Sequence, residues 1–195
     1  MVRYDSNSYP THLPPPMTEI TFQAAQADMR RAYLAGAPGM LVSGLVWLTA
    51  GIVAAMGSEK ASVLTLLFGG AAIFPLSIVL TKLLGHSGKH TTGNALGGLA
   101  AEGTFWLLAG CAIAYGMHTL RIEWFFPAML LVIGGRYLTF QTLYGLRVYW
   151  ACGALLCIAG LALALARTPP VAGAFTGATI ELVFAVFVFK QTRRV

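Results

Sequence analysis

Charge is what this sequence most lacks. Of its 195 residues, 10% are Asp, Glu, Lys or Arg, where a soluble globular domain carries about 25%. So few charges cannot cover the surface of a water-soluble domain. With 57% hydrophobic residues, lipid becomes the fitting solvent. Catalytic signatures are missing too: the chain has no HExxH, GxSxG, Walker or GxGxxG pattern and no evident nucleophile–base pair, so no enzymatic activity is expected. Cysteine is scarce. Cys111, Cys152 and Cys157 form no CxxC pair and fall inside apolar segments, where they serve as small packing residues. His86 and His90 stand four apart in GHSGKH, but no third ligand is near and Lys89 lies between them, so neither a metal nor another cofactor is expected. The net charge of +6 comes from basic residues scattered at segment ends. They form no patch that would follow a phosphate backbone, and no nucleic-acid partner is expected.

What the chain does have is apolar segments of membrane length. Residues 1–16 form a polar, proline-rich tail whose Pro14, Pro15 and Pro16 favour an extended chain; it lacks the short apolar region of a signal peptide. Residues 17–35 read as an amphipathic lead-in helix capped at Thr18, suited to lying on headgroups, or less simply to gating or docking a partner. Residues 36–190 carry six apolar spans, at about 38–57, 61–83, 94–116, 124–145, 147–166 and 170–190, followed by a basic tail at 191–195. Each span is near the roughly 20 residues that a bilayer core requires, and the short links predict up-and-down packing of neighbours. The fold class is therefore all-α: a six-helix integral membrane bundle behind an amphipathic helix. Lys and Arg at the span ends and beyond them divide nine to three, which predicts both termini in the cytoplasm. Two motif pairs suggest a 3+3 inverted repeat. Pro38-Gly-Met40 opens span 1 as Pro127-Ala-Met129 opens span 4. Gly98 through Glu102 with Phe105 in span 3 matches Gly177 through Glu181 with Phe184 in span 6.

Three ionisable residues interrupt the spans: Glu102, Arg136 and Glu181. At 1.5 Å per helical residue, Glu102 and Arg136 each fall roughly 12 Å from the inner edge and Glu181 roughly 16 Å from the outer one, so all three share a layer. A guanidinium keeps its charge and needs an anion or water. Arg136 can hold one glutamate ionised, and the second becomes a candidate proton carrier. Tyr137 and Gln141 on the same span, Trp47 on span 1 and Trp106 on span 3 are candidates to line this substrate or proton site. The bland alternative is a buried Arg–Glu pair that fixes helix register. Glycine pairs such as Gly69-Gly70 and Gly134-Gly135 permit close helix approach, or in the second case loosen the helix before Arg136. Pro75 predicts a kink in span 2.

The segments FPLSIVLTKLLG (74–85) and PAMLLVIGGRYLTFQTLYGLRVYW (127–150) resemble a family of small bacterial six-span membrane proteins carried as a domain of unknown function. The resemblance runs from the MRRAYLAGAPG lead-in at residue 29 to residue 190. It implies a multi-pass protein of the bacterial inner membrane and supplies no activity. The favoured function is a small transporter or channel-like protein whose partners are the bilayer, a small solute or protons, with a homodimer as a candidate assembly. The alternatives are a non-transporting scaffold, sensor or accessory subunit and, less favoured, an intramembrane enzyme acting on lipid or quinone.

Overall fold

The computed structural model describes residues 21–192, and every described element is helical. Helix α1 spans Phe22–Tyr33, and a 3-10 turn at Leu34–Gly36 joins it to α2, Ala37–Ala55. Helices α3 (Glu59–Leu83) and α4 (Leu96–Leu120) follow. A second 3-10 turn at Ile122–Trp124 leads into α5 (Phe125–Tyr144), then α6 (Val148–Ala166) and α7 (Pro170–Thr192). Five helical segments are long and apolar enough to cross a membrane: Phe22–Ala55, which joins α1 to α2, and α3, α4, α6 and α7. Helix α5 has 20 residues and is not among them; it is the one that carries Arg136.

Helix α2 packs on α3 and α7, and α5 packs on α4 and α6; α6 also touches α7. Small residues set these spacings. A Cβ placed on Gly134 would lie 2.8 Å from the Gly153 carbonyl, so α5 and α6 touch backbone to backbone there. Gly134 thus serves packing rather than loosening, and α5 runs unbroken through both glycines. Likewise α3 runs as one helix through Pro75. The core gathers Met40, Trp47, Phe125, Phe126, Leu130, Tyr149, Leu156 and Val188 on α2, α5, α6 and α7. By contrast α3 and α4 are mostly exposed, with Phe68, Phe74, Phe105, Trp106 and Ile113 turned outward.

The lead-in helix bonds to the rest of the bundle. Thr18 is outside the described residues; Thr21 caps α1 by accepting from the Ala24 amide. Helix α1 is strapped across one end of the bundle. Gln26 donates to the Thr142 carbonyl at 2.8 Å and Arg30 to the Tyr144 carbonyl at 2.7 Å, which satisfies the open last turn of α5. Asp28 accepts from Thr91 and Asn94 in the α3–α4 loop, with all three contacts at 2.8–2.9 Å. The two histidines proposed and set aside as metal ligands belong to this strap: His86 Nδ1 meets the Arg31 carbonyl and His90 Nδ1 the Tyr33 hydroxyl. The turn behind α1 is strained. Leu34, Ala35 and Gly36 all have positive φ, at 49°, 51° and 83°, and a left-handed conformation costs a non-glycine residue roughly 1–2 kcal/mol. The Tyr149 hydroxyl holds the turn by donating to the Ala35 carbonyl.

Candidate functional site

Helical geometry separates the three charges carried inside the apolar helices: Arg136 lines a groove, Glu181 is buried in the core, and Glu102 is exposed apart from both. Arg136 and Tyr137 are consecutive on α5, so their side chains leave the helix about 100° apart. Tyr137 turns into the core toward α7, while Arg136 turns toward α4. Arg136 abuts the α4 backbone at Gly103, directly after Glu102, and Tyr137 faces Glu181. The expected ion pairs are not formed. Among the described residues the one ion pair is Arg121–Glu123 at 3.4 Å, far along the sequence from either site.

The first place is a dry carboxyl. Glu181 on α7 has an exposure of 0%, and both its oxygens lack a hydrogen-bond partner. The hydroxyls facing it are those of Ser43 on α2 and Tyr137 on α5; neither reaches it with hydrogen-bond geometry. Trp47, also fully buried, lies one helical turn from Ser43 and packs its ring on Gly177, one turn before Glu181. The Trp47 Nε1–H is likewise without an acceptor. Buried polar atoms are nearly always paired, because an unpaired one forfeits its hydration. Three orphaned atoms in one region of a tightly packed core therefore need an account. Around them Tyr137 stacks on Tyr149 at 5.9 Å, and Phe140 stands edge-on to both.

The second place is a groove between α4 and α5 of about 310 Å³. Gly103, Trp106 and Leu107 form one wall, and Leu131, Gly135, Arg136 and Thr139 the other. The guanidinium has neutral partners. It donates to the Gly103 carbonyl at 2.8 Å and to the Thr104 hydroxyl at 3.3 Å from two of its nitrogens, and it lies over the Phe140 ring at 5.4 Å. Trp106 is 71% exposed at the groove's rim. Glu102, the expected counter-ion, is exposed on α4 and makes no ion pair. Gln141 contributes its carbonyl, which accepts from Gly145 at the end of α5. Of the seven sequence candidates the fold thus brings Trp47, Tyr137 and Glu181 together, sets Arg136 and Trp106 on the groove, and leaves Glu102 and Gln141 apart. Sequence reasoning missed Thr104 and Phe140 as partners of Arg136. Helical spacing from Arg136 could have found Phe140, whereas Thr104 needed the α4–α5 register. No group of three or more metal-ligating side chains is present among the described residues.

A larger cavity of about 730 Å³ lies at the bundle end away from α1. It is lined by Ser58, Glu59, Lys60, His118 and Thr119, and it does not include the charges above.

Residues 22–191 match the model of a family of unknown function, DUF7010. The chain belongs to that family. No curated protein and no solved structure matches it.

Proposed function

We propose that this chain is a six-span membrane protein of the bacterial inner membrane, with both termini in the cytoplasm, that moves a proton or a small solute through the bundle by way of Glu181. The observation that carries the reading is a fully buried carboxyl with no ion-pair partner, faced by the Ser43 and Tyr137 hydroxyls. Such a group is costly to keep in an apolar core, and an ionisable residue inside a membrane is read first as a functional site. Glu181 can hold a proton in the dry core and exchange it when water or a solute reaches it; Ser43 and Tyr137 are positioned to accept or donate beside it. The packing order supports a 3+3 inverted repeat. The first helix of each half, α2 or α5, lies between the second helix of its own half and the third helix of the other. In that repeat Glu102 is the counterpart of Glu181, and exchange of open and closed halves would bring each carboxyl to water in turn.

A second reading has one observation in its favour. Neither the groove nor the outer cavity is lined by Glu181, and a carboxyl sealed under Trp47 fits a non-transporting scaffold or accessory subunit. Proteoliposomes loaded with a pH dye and driven by a potassium diffusion potential separate the two. Transport predicts acidification above empty vesicles that Glu181→Gln abolishes while the unfolding temperature is kept. Parent protein that moves no protons with or without added solutes, together with a Glu181→Gln variant of altered stability, would leave the scaffold reading standing.

A further inference from the structure

We infer that the α4–α5 groove is a lateral binding site for a single-chain amphiphile bearing one carboxylate, held by Arg136. The inference rests on the reading of the chain as a membrane protein, but not on any proton movement through Glu181. Four observations carry it. Arg136 lies eight residues before the end of α5, about 12 Å into the helix, at a depth where an uncompensated guanidinium is costly. Its partners are a carbonyl, a hydroxyl and an aromatic ring, all neutral, so its charge is hydrogen-bonded without being balanced. The groove beside it is otherwise apolar, with Trp106, Leu107, Leu131 and Val132 among its lining residues. Gly135 in its wall is exposed and has nothing within 4 Å of where a side chain would begin, so the space is left open by the sequence itself.

Charge selects an anion, and a carboxylate matches the fork of a guanidinium. Size suits one chain: about 310 Å³ is at the low end of ligand pockets, and a single alkyl chain fills it. Depth selects a carboxylate over a phosphodiester, because a carboxyl can enter hydrocarbon in its neutral form whereas a phosphodiester carries its charge throughout. Thr139 adds a hydroxyl to the groove wall, and Trp106 an amphipathic ring at its mouth.

The probe is dodecanoate brominated on its chain, which quenches tryptophan by contact. The full chain is placed in nanodiscs of phosphatidylcholine and titrated. Saturable quenching is expected, and it should shrink in Trp106→Phe. Arg136→Gln should weaken the apparent affinity at least tenfold, Arg136→Lys less. Gly135→Leu should weaken it as much without lowering the unfolding temperature, since nothing lies within 4 Å of where its side chain begins and leucine is the better helix former. Brominated dodecyltrimethylammonium and brominated dodecanol should show only unsaturable partitioning. The assignment is overturned if those two quench as dodecanoate does, if Arg136→Gln and Gly135→Leu both bind like the parent, if acetate or inorganic phosphate competes at equal concentration, or if brominated phosphatidylglycerol displaces the probe. A chain that does not reconstitute across the bilayer, read out by protease protection of its loops, would instead strike at the membrane reading itself.

Discussion

Replacing Gly177 by alanine tests how α2 and α7 come together. A Cβ at Gly177 would lie 2.6 Å and 2.8 Å from two ring carbons of Trp47, where comfortable carbon contacts begin near 3.5 Å. A third ring carbon, Cε3, is closer still, so the ring would have to retreat by about 1 Å. It has little room: Trp47 has no exposed surface, and Phe126, with its ring centroid 5.8 Å away, is itself packed against Phe125 at 5.1 Å. Overpacking of a filled core typically costs about 1–3 kcal/mol. Alanine's better helix propensity returns about 0.5–1 kcal/mol, for a net loss of about 1–2 kcal/mol. Gly98 provides the control. It stands four residues before Glu102 as Gly177 does before Glu181, but it is exposed, with nothing within 4 Å of a new Cβ, so Gly98→Ala keeps the propensity gain and should stabilise by up to about 1 kcal/mol. Both proteins would be unfolded in mixed micelles of mild detergent and dodecyl sulfate, with helicity followed by circular dichroism. The reasoning predicts opposite signs, separated by about 2 kcal/mol or more, and recovery of Gly177→Ala by an added Trp47→Phe, the mark of a direct contact. Equal shifts for the two glycines would refute it.

Other expectations are simpler. Arg167 ends α6 in the left-handed region, at φ 51°, and is exposed, so Arg167→Gly should raise stability by about 1 kcal/mol in the same unfolding assay. Asp28 is governed by opposed effects. Burial pushes its carboxyl up, but hydrogen bonds from Asn94 and Thr91 and the charge of Arg31 prevail and hold it below the ordinary aspartate value. A group depressed on folding stabilises the fold above its unfolded pKa and ceases to do so as pH falls through the folded one. Amide protection factors in α1 and at residues 91–94, with the intrinsic pH dependence of exchange divided out, should therefore stay flat from neutral pH to about 4, fall below that, and lose this acid sensitivity in Asp28→Asn. Exchange that is already fast at neutral pH would show that the Asp28 contacts do not hold the strap. In vesicles, Glu181→Gln should remove proton flux without lowering the unfolding temperature; flux equal to that of the parent protein would remove Glu181 from the path.

Much of the helical order was legible because hydropathy writes it in blocks. Five of the expected spans recur as helices of membrane length within a few residues, and the stretch around Arg136 forms α5 where expected. Side-chain contacts then join Arg136 to Gly103 and Thr104, and set Tyr137 beside Glu181. Azimuth was not legible. One residue's step around a helix decides whether a charge faces the core or α4, and that depends on which neighbours α5 touches, a long-range outcome that periodicity in apolar segments does not encode. The same blindness made Glu102 a counter-ion on paper and an exposed side chain on α4. The strap formed by α1 was hidden for a different reason. Its bonds run to backbone carbonyls and a distant loop, and carbonyls carry no sequence signature.

That strap has a consequence for how the protein is made. Gln26 and Arg30 bond to carbonyls 116 and 114 positions further along the chain. During synthesis the N-terminal segment leaves the ribosome long before those acceptors exist. It has to wait, unfastened, while four later helices are threaded into place, and it can close only once α5 has arrived. Closure of the strap is thus a late assembly step and a check on the preceding ones: a chain with its fifth helix misinserted would display a loose, protease-accessible N-terminus to the quality-control machinery of the cell.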